Sequence, residues 1–233
     1  MIDSADYARQ IETYLCRKNE GHLIRIVGPA FERVCDWAAQ GVPLKVAFRG
    51  IDRYCERYYA KGPRRRPVRI EFCEADVLDL FDDWRRAVRL PSATGAEGGA
   101  SEEPRRKPAL ASHIERAIAR LTALRGGVRS APFGEAVDAA VRELDGLATD
   151  ARAARGEARA RIAERLAVID RLLLEAARRE IDPSAARVLR NEAVEALAPF
   201  GSRMAPDARR EAEQAAFDGL VRDALGLPVI SYE

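Results

Sequence analysis

The stretch PLKVAFRGIDRYCERYYAKG, residues 43–62, carries the periodicity that decides the fold class. Its apolar positions Leu44, Phe48, Ile51, Cys55 and Tyr58 are spaced 4, 3, 4 and 3 residues apart. That is one face of an α-helix, not the alternation of a strand. Pro43 opens the helix, because a missing N–H is harmless in a first turn, and Gly62-Pro63 closes it. On the polar side Lys45, Arg49, Arg53, Arg57 and Lys61 recur at every fourth residue, a basic ridge about 24 Å long at a rise of about 1.5 Å per residue. Arg64, Arg65, Arg66 and Arg69 follow it.

The same grammar extends in both directions. Upstream, Tyr7, Ile11, Tyr14 and Leu15 recur at helical spacing behind the capping candidates Asp3 and Ser4. Pro29 starts a second helix with the apolar stripe Phe31, Val34, Cys35 and Ala38, and Gly41 ends it. Downstream, Cys73, Val77, Phe81, Trp84 and Val88 mark a fourth helix. Between the third and fourth, residues 67–72 alternate like a short strand with no partner strand in the sequence.

Beyond residue 90 the pattern breaks. Residues 91–109 are rich in Gly, Pro, Ser and Ala without apolar period, which predicts a flexible linker. Five further helices are expected at about 110–125, 133–148, 150–181, 184–199 and 206–225, with Ile162, Leu166, Ile169 and Leu173 as a packing seam. The apolar end, Leu227 to Tyr232, is expected to dock on the helices. The sequence thus predicts an all-α protein of two helical modules, 1–90 and 110–233, joined by the linker.

Length and composition set the outer limits. A chain of 233 residues, 47% hydrophobic and 33% charged, is long enough to bury its own core without disulfide staples. No apolar run approaches the length of a spanning helix, and a cytoplasmic location is the expectation. Net charge is +2, with 17 basic against 14 acidic residues in 1–90 and near balance elsewhere. A surface wholly dedicated to nucleic acid is excluded by that balance; a local patch is not.

Catalytic and metal signatures are missing from the residues themselves. Cys16, Cys35, Cys55 and Cys73 are separated by 19, 20 and 18 residues, whereas zinc and cluster sites bring ligands in close pairs. Three of them sit on apolar stripes and read as small buried hydrophobes. His22 and His113 have no nucleophile or second ligand at motif spacing, and no phosphate-cradling glycine pattern occurs. Asp76, Asp79 and Asp83 lie about one turn apart, either as a solvated face or as a clasp for a cation. The chain is therefore expected to be non-enzymatic and without cofactor or metal.

The basic ridge is the sequence's main functional pointer. Like charges at i+4 repel, so the ridge requires either internal acids, for which Asp52 and Glu56 are candidates, or an anionic partner, nucleic acid first. Tyr54 and Tyr59 flank it, to stack on bases or to pack on a neighbouring helix.

Residues 36–84, including Asp36-Trp37, the Pro43–Ile51 segment, Phe72 to Leu78 and Trp84, resemble the DnaD-like helical domains of bacterial primosome and phage replication proteins. The chain looks more similar still to an uncharacterised bacterial all-helical family whose C-terminal half ends in a Gly-Leu-Pro segment, here Gly226 to Pro228. The DnaD-like resemblance implies a DNA-binding or replication-adaptor role. The alternative is a helical protein-interaction scaffold without nucleic acid.

Overall fold

The computed structural model describes residues 3–60, 62, 66–90, 109–127 and 130–232. Among them are nine α-helices and no strand: α1 (Ser4–Lys18), α2 (Pro29–Gln40), α3 (Leu44–Tyr59), α4 (Glu74–Ala87), α5 (Leu110–Leu124), α6 (Ala131–Ala153), α7 (Gly156–Glu180), α8 (Pro183–Leu197) and α9 (Pro206–Leu225). Two 3-10 helices, Ile70–Cys73 and Ala198–Arg203, complete the regular structure. The fold is all-α. The expected linker lies outside the described residues apart from Ala109, which precedes α5.

The chain divides into two compact units, Met1–Gly95 with Glu192–Ala216, and Ala96–Asn191 with Phe217–Glu233. Residues 192–216, expected with the C-terminal half, thus group with the N-terminal unit. Side-chain chemistry explains it: Glu192 pairs with Lys45 at 2.6 Å, and the Phe200 ring lies 6.1 Å from that of Trp84. Gly41, at φ +80°, approaches Phe200 so closely that a Cβ there would sit 2.7 Å from the ring. Gly41 therefore serves both as the left-handed cap of α2 and as the floor under a phenylalanine.

In the first unit α1 packs on α2 and α3, and α3 packs on α4. Ile11, Leu15, Val34, Ile51, Val77 and Phe81 fill the core between them. Each such side chain, fully buried, stabilises the fold by roughly 1.5–3 kcal/mol relative to exposure. On α2 the buried face is Ala30, Val34 and Trp37, not the expected stripe through Phe31 and Cys35. Trp37 is 1% exposed and Phe31 38%; the helix is turned to bury the indole, its largest apolar surface. The strand-like segment also differs from expectation. Val68 and Ile70 are buried as alternation implies, but with no strand to pair, the chain closes into the 3-10 turn Ile70–Cys73.

In the second unit α6 packs on α5 and α7. The seam Ile162, Leu166, Ile169 and Leu173 is buried as expected, facing a core that includes Phe133, Val137 and Leu144. The break between α6 and α7 falls at 154–155, later than the 148–150 expected. The C-terminal segment is docked. Asp170 accepts the Ile230 N–H at 2.7 Å and pairs with Arg222 at 2.7 Å. Arg222 also donates to the Pro228 carbonyl, and the His113 ring meets the Ile230 carbonyl at 2.9 Å.

Candidate nucleic-acid interface

The ridge on α3 faces α4 for much of its length, so its charges meet acids before they meet solvent. Arg57 donates twice to Asp76, 2.6 Å to each carboxylate oxygen. Arg53 reaches the same carboxylate at 3.2 Å and Asp79 at 3.9 Å. The Asp76 side chain is only 6% exposed and sits in the first turn of α4, where the helix dipole also favours a negative charge. Its hydrogen bonds hold the Arg57 guanidinium above the ordinary arginine range. The acidic row of α4 does clasp cations, and they are guanidinium groups of α3. Asp83 stands apart and pairs with Arg86.

Of the two acids expected to balance the ridge, Asp52 is engaged elsewhere. Asp52 accepts the Tyr14 hydroxyl at 2.8 Å and pairs with Lys18 at 2.7 Å, and Glu56 is exposed. At the N-terminal end Lys45 is bound to Glu192, and Arg49, though exposed, has an interaction partner of its own. Lys61, Arg64 and Arg65 lie outside the described residues. Arg66 and Arg69 are exposed; Arg69 has a distant acidic neighbour, Glu71, at 3.8 Å.

The C-terminal end of α3 has a different character. Tyr54 stacks with Tyr58 (centroids 6.0 Å, planes 21° apart) and with Phe72 (6.2 Å, 14°). Arg57 lies over the Tyr54 ring at 5.8 Å. Phe72 is 58% exposed, because the 3-10 turn buries Ile70 and Cys73 and turns Phe72 outward. The Tyr58 hydroxyl donates to the Arg66 carbonyl at 3.0 Å, which fixes the backbone of that arginine beside the aromatic row. The outcome is a shelf of three rings with Arg57 over Tyr54 and the backbones of Arg66 and Arg69 bonded to Tyr58 and Phe72. Tyr59, the other flanking tyrosine, takes the packing role and donates to Asn19 at 2.9 Å.

Asn19 escaped sequence reasoning. It is fully buried, accepts from Val68 N–H (2.6 Å) and Tyr59, and donates to the Leu15 and Val68 carbonyls. All four hydrogen bonds an asparagine side chain can readily make are used, pinning the segment that leads to the shelf onto the end of α1. An asparagine just past a helix is a recognised stop signal. The partner 49 residues away leaves no trace in local sequence.

Cys55 and Cys73 are buried, and Cys16 and Cys35 half-buried, all as free thiols. Burial pushes the Cys55 and Cys73 thiols up, Cys73 the more strongly, which keeps them protonated and unreactive at neutral pH. Among the described residues no group of three or more His, Cys, Asp or Glu side chains converges to hold a metal ion, and no helix is long and apolar enough to cross a membrane.

No family model, curated protein or solved structure matches this chain.

Proposed function

We propose that the protein is a non-enzymatic adaptor that binds single-stranded nucleic acid on the aromatic shelf Tyr54, Tyr58 and Phe72, with Arg66 and Arg69 contacting the backbone. Phe72 carries this reading: a phenylalanine 58% exposed, held nearly parallel to a tyrosine, offers a flat apolar face to the solvent. Every base has a π-face, so stacking of this kind tolerates any sequence, and arginines nearby supply the phosphate contacts. The reading moves the interface from the length of the ridge to its C-terminal end, since Lys45, Arg53 and Arg57 already pair with carboxylates. A replication role follows only from the DnaD-like resemblance and belongs to the same proposal.

Fluorescence anisotropy with labelled oligo-dT and oligo-U at low salt tests it. Phe72→Ala is expected to weaken binding by about 1–3 kcal/mol, roughly 5- to 150-fold, as loss of one base stack does. No binding to either strand, or binding indifferent to Phe72→Ala, contradicts it. The second reading, a protein-interaction scaffold, then leads; it is favoured by the same consumption of ridge charges inside the fold.

A further inference from the structure

Between α1 and α2 the chain runs through His22-Leu-Ile-Arg-Ile-Val27, a segment with neither helix nor turn. Its burial alternates. Leu23 is 83% and Val27 65% exposed, with Arg25 exposed between them, whereas Ile26 is buried and Ile24 half-buried. The hydrogen bonds alternate too. Ile24 N–H donates to Cys16 Sγ at 3.3 Å and Ile26 N–H to Glu12 Oε2 at 2.7 Å, and the Cys16 thiol donates back to the Ile24 carbonyl. Two residues of extended chain span about 6.6 Å and four residues of helix about 6 Å. The match puts Ile24 and Ile26 in register with Cys16 and Glu12 along an extended segment running antiparallel to α1.

A strand bonds through alternate residues on each side. The inner edge, at Ile24 and Ile26, is satisfied by α1. On the outer edge, the backbone N–H and C=O groups of Leu23, Arg25 and Val27 have no hydrogen-bond partner among the described residues. A six-residue β-prone edge with exposed Leu and Val side chains is the surface natural proteins normally cover or blunt. Here nothing on the segment blunts it except Arg25, which makes no ion pair among the described residues.

We infer that residues 22–27 are a docking edge for an extended partner segment of apolar–acidic–apolar alternation, added as a strand. Main-chain bonds to Leu23, Arg25 and Val27 would hold it, and side-chain pairing would select it. Arg25 supplies the charge complementarity, because a carboxylate directly across from it is favourable and a like charge is not. The same rule disfavours a second copy of this chain: an antiparallel pair centred on Arg25 sets guanidinium against guanidinium. This inference stands apart from the nucleic-acid shelf and shares no residue with it.

The test uses the full-length, nitrogen-15-labelled protein and two capped peptides, Thr-Val-Thr-Glu-Thr-Val-Thr and its lysine analogue. The glutamate peptide is expected to shift the amide resonances of Leu23, Arg25 and Val27 and to bind more tightly than the lysine peptide, the favourable pair contributing up to about 5-fold. Arg25→Glu, an exposed substitution that leaves the fold intact, should reverse the preference. Three results would overturn the inference: no shift at millimolar peptide, shifts confined to other surfaces, or concentration-dependent self-association that protects these amides without peptide.

Discussion

At the scale of single residues, Asp76 is the buried carboxylate that ties α3 to α4. It is nearly inaccessible to solvent and holds two arginines one turn apart on α3. Removing one partner of a buried ion pair costs about 3–5 kcal/mol because the other charge is stranded. Here Arg57 and Arg53 keep 57% and 39% of their side chains exposed and can rehydrate, which discounts the loss. Asp76→Ala is therefore expected to lower unfolding free energy by about 1–3 kcal/mol, read as a drop in the urea midpoint with an unchanged slope. A midpoint within error of the parent would show that the clamp contributes nothing. The components of this clamp were visible in the sequence as two unrelated rows, bases at i+4 and acids about a turn apart. Their pairing was not, because a helical period states which residues share a face but not which face of another helix it meets. Asn19 was illegible for the same reason, its decisive partner Val68 being distant in sequence.

At the scale of elements, the crossing of α3 and α4 depends on Gly50. A Cβ at that position would stand 2.5 Å from Val77 Cγ2, 2.6 Å from its Cα and 2.8 Å from its nitrogen. The backbone of α4 cannot retreat without disturbing the clamp beside it. Gly50→Ala, which favours an isolated helix by about 1 kcal/mol, is expected instead to destabilise the protein by about 1–3 kcal/mol through overpacking. Thermal unfolding checks it, and a raised melting temperature would contradict the close approach. The helices themselves were well legible. Pro29, Gly41 and Pro43 bracket α2 and α3 as start and stop signals predict, and the Ile162 to Leu173 seam is buried. Local signals failed where tertiary packing decided. Trp37 turned α2 away from Phe31, and the alternation of Val68 and Ile70 marked real burial without a ladder to make it a strand.

At the scale of the whole molecule, the chain visits its first unit twice, in Met1–Gly95 and again in Glu192–Ala216. Periodicity gave the helices of the second half but not this return, which rests on single contacts such as Lys45 with Glu192 and Gly41 under Phe200. The near-neutral charge and the internally paired ridge leave the end of α3, where the aromatic shelf meets Arg66 and Arg69, as the proposed surface for an anionic polymer. The most direct measurement is the slope of log affinity against log salt for oligo-dT, compared between the parent protein and the Arg66→Gln/Arg69→Gln variant. Each phosphate contact on a single strand releases condensed counterions and contributes about 0.7 to that slope. If both arginines contact phosphate, the variant's slope is shallower by up to about 1.4 while its fold is unchanged. A parent protein with no salt-dependent binding, or two slopes that coincide, would contradict the account.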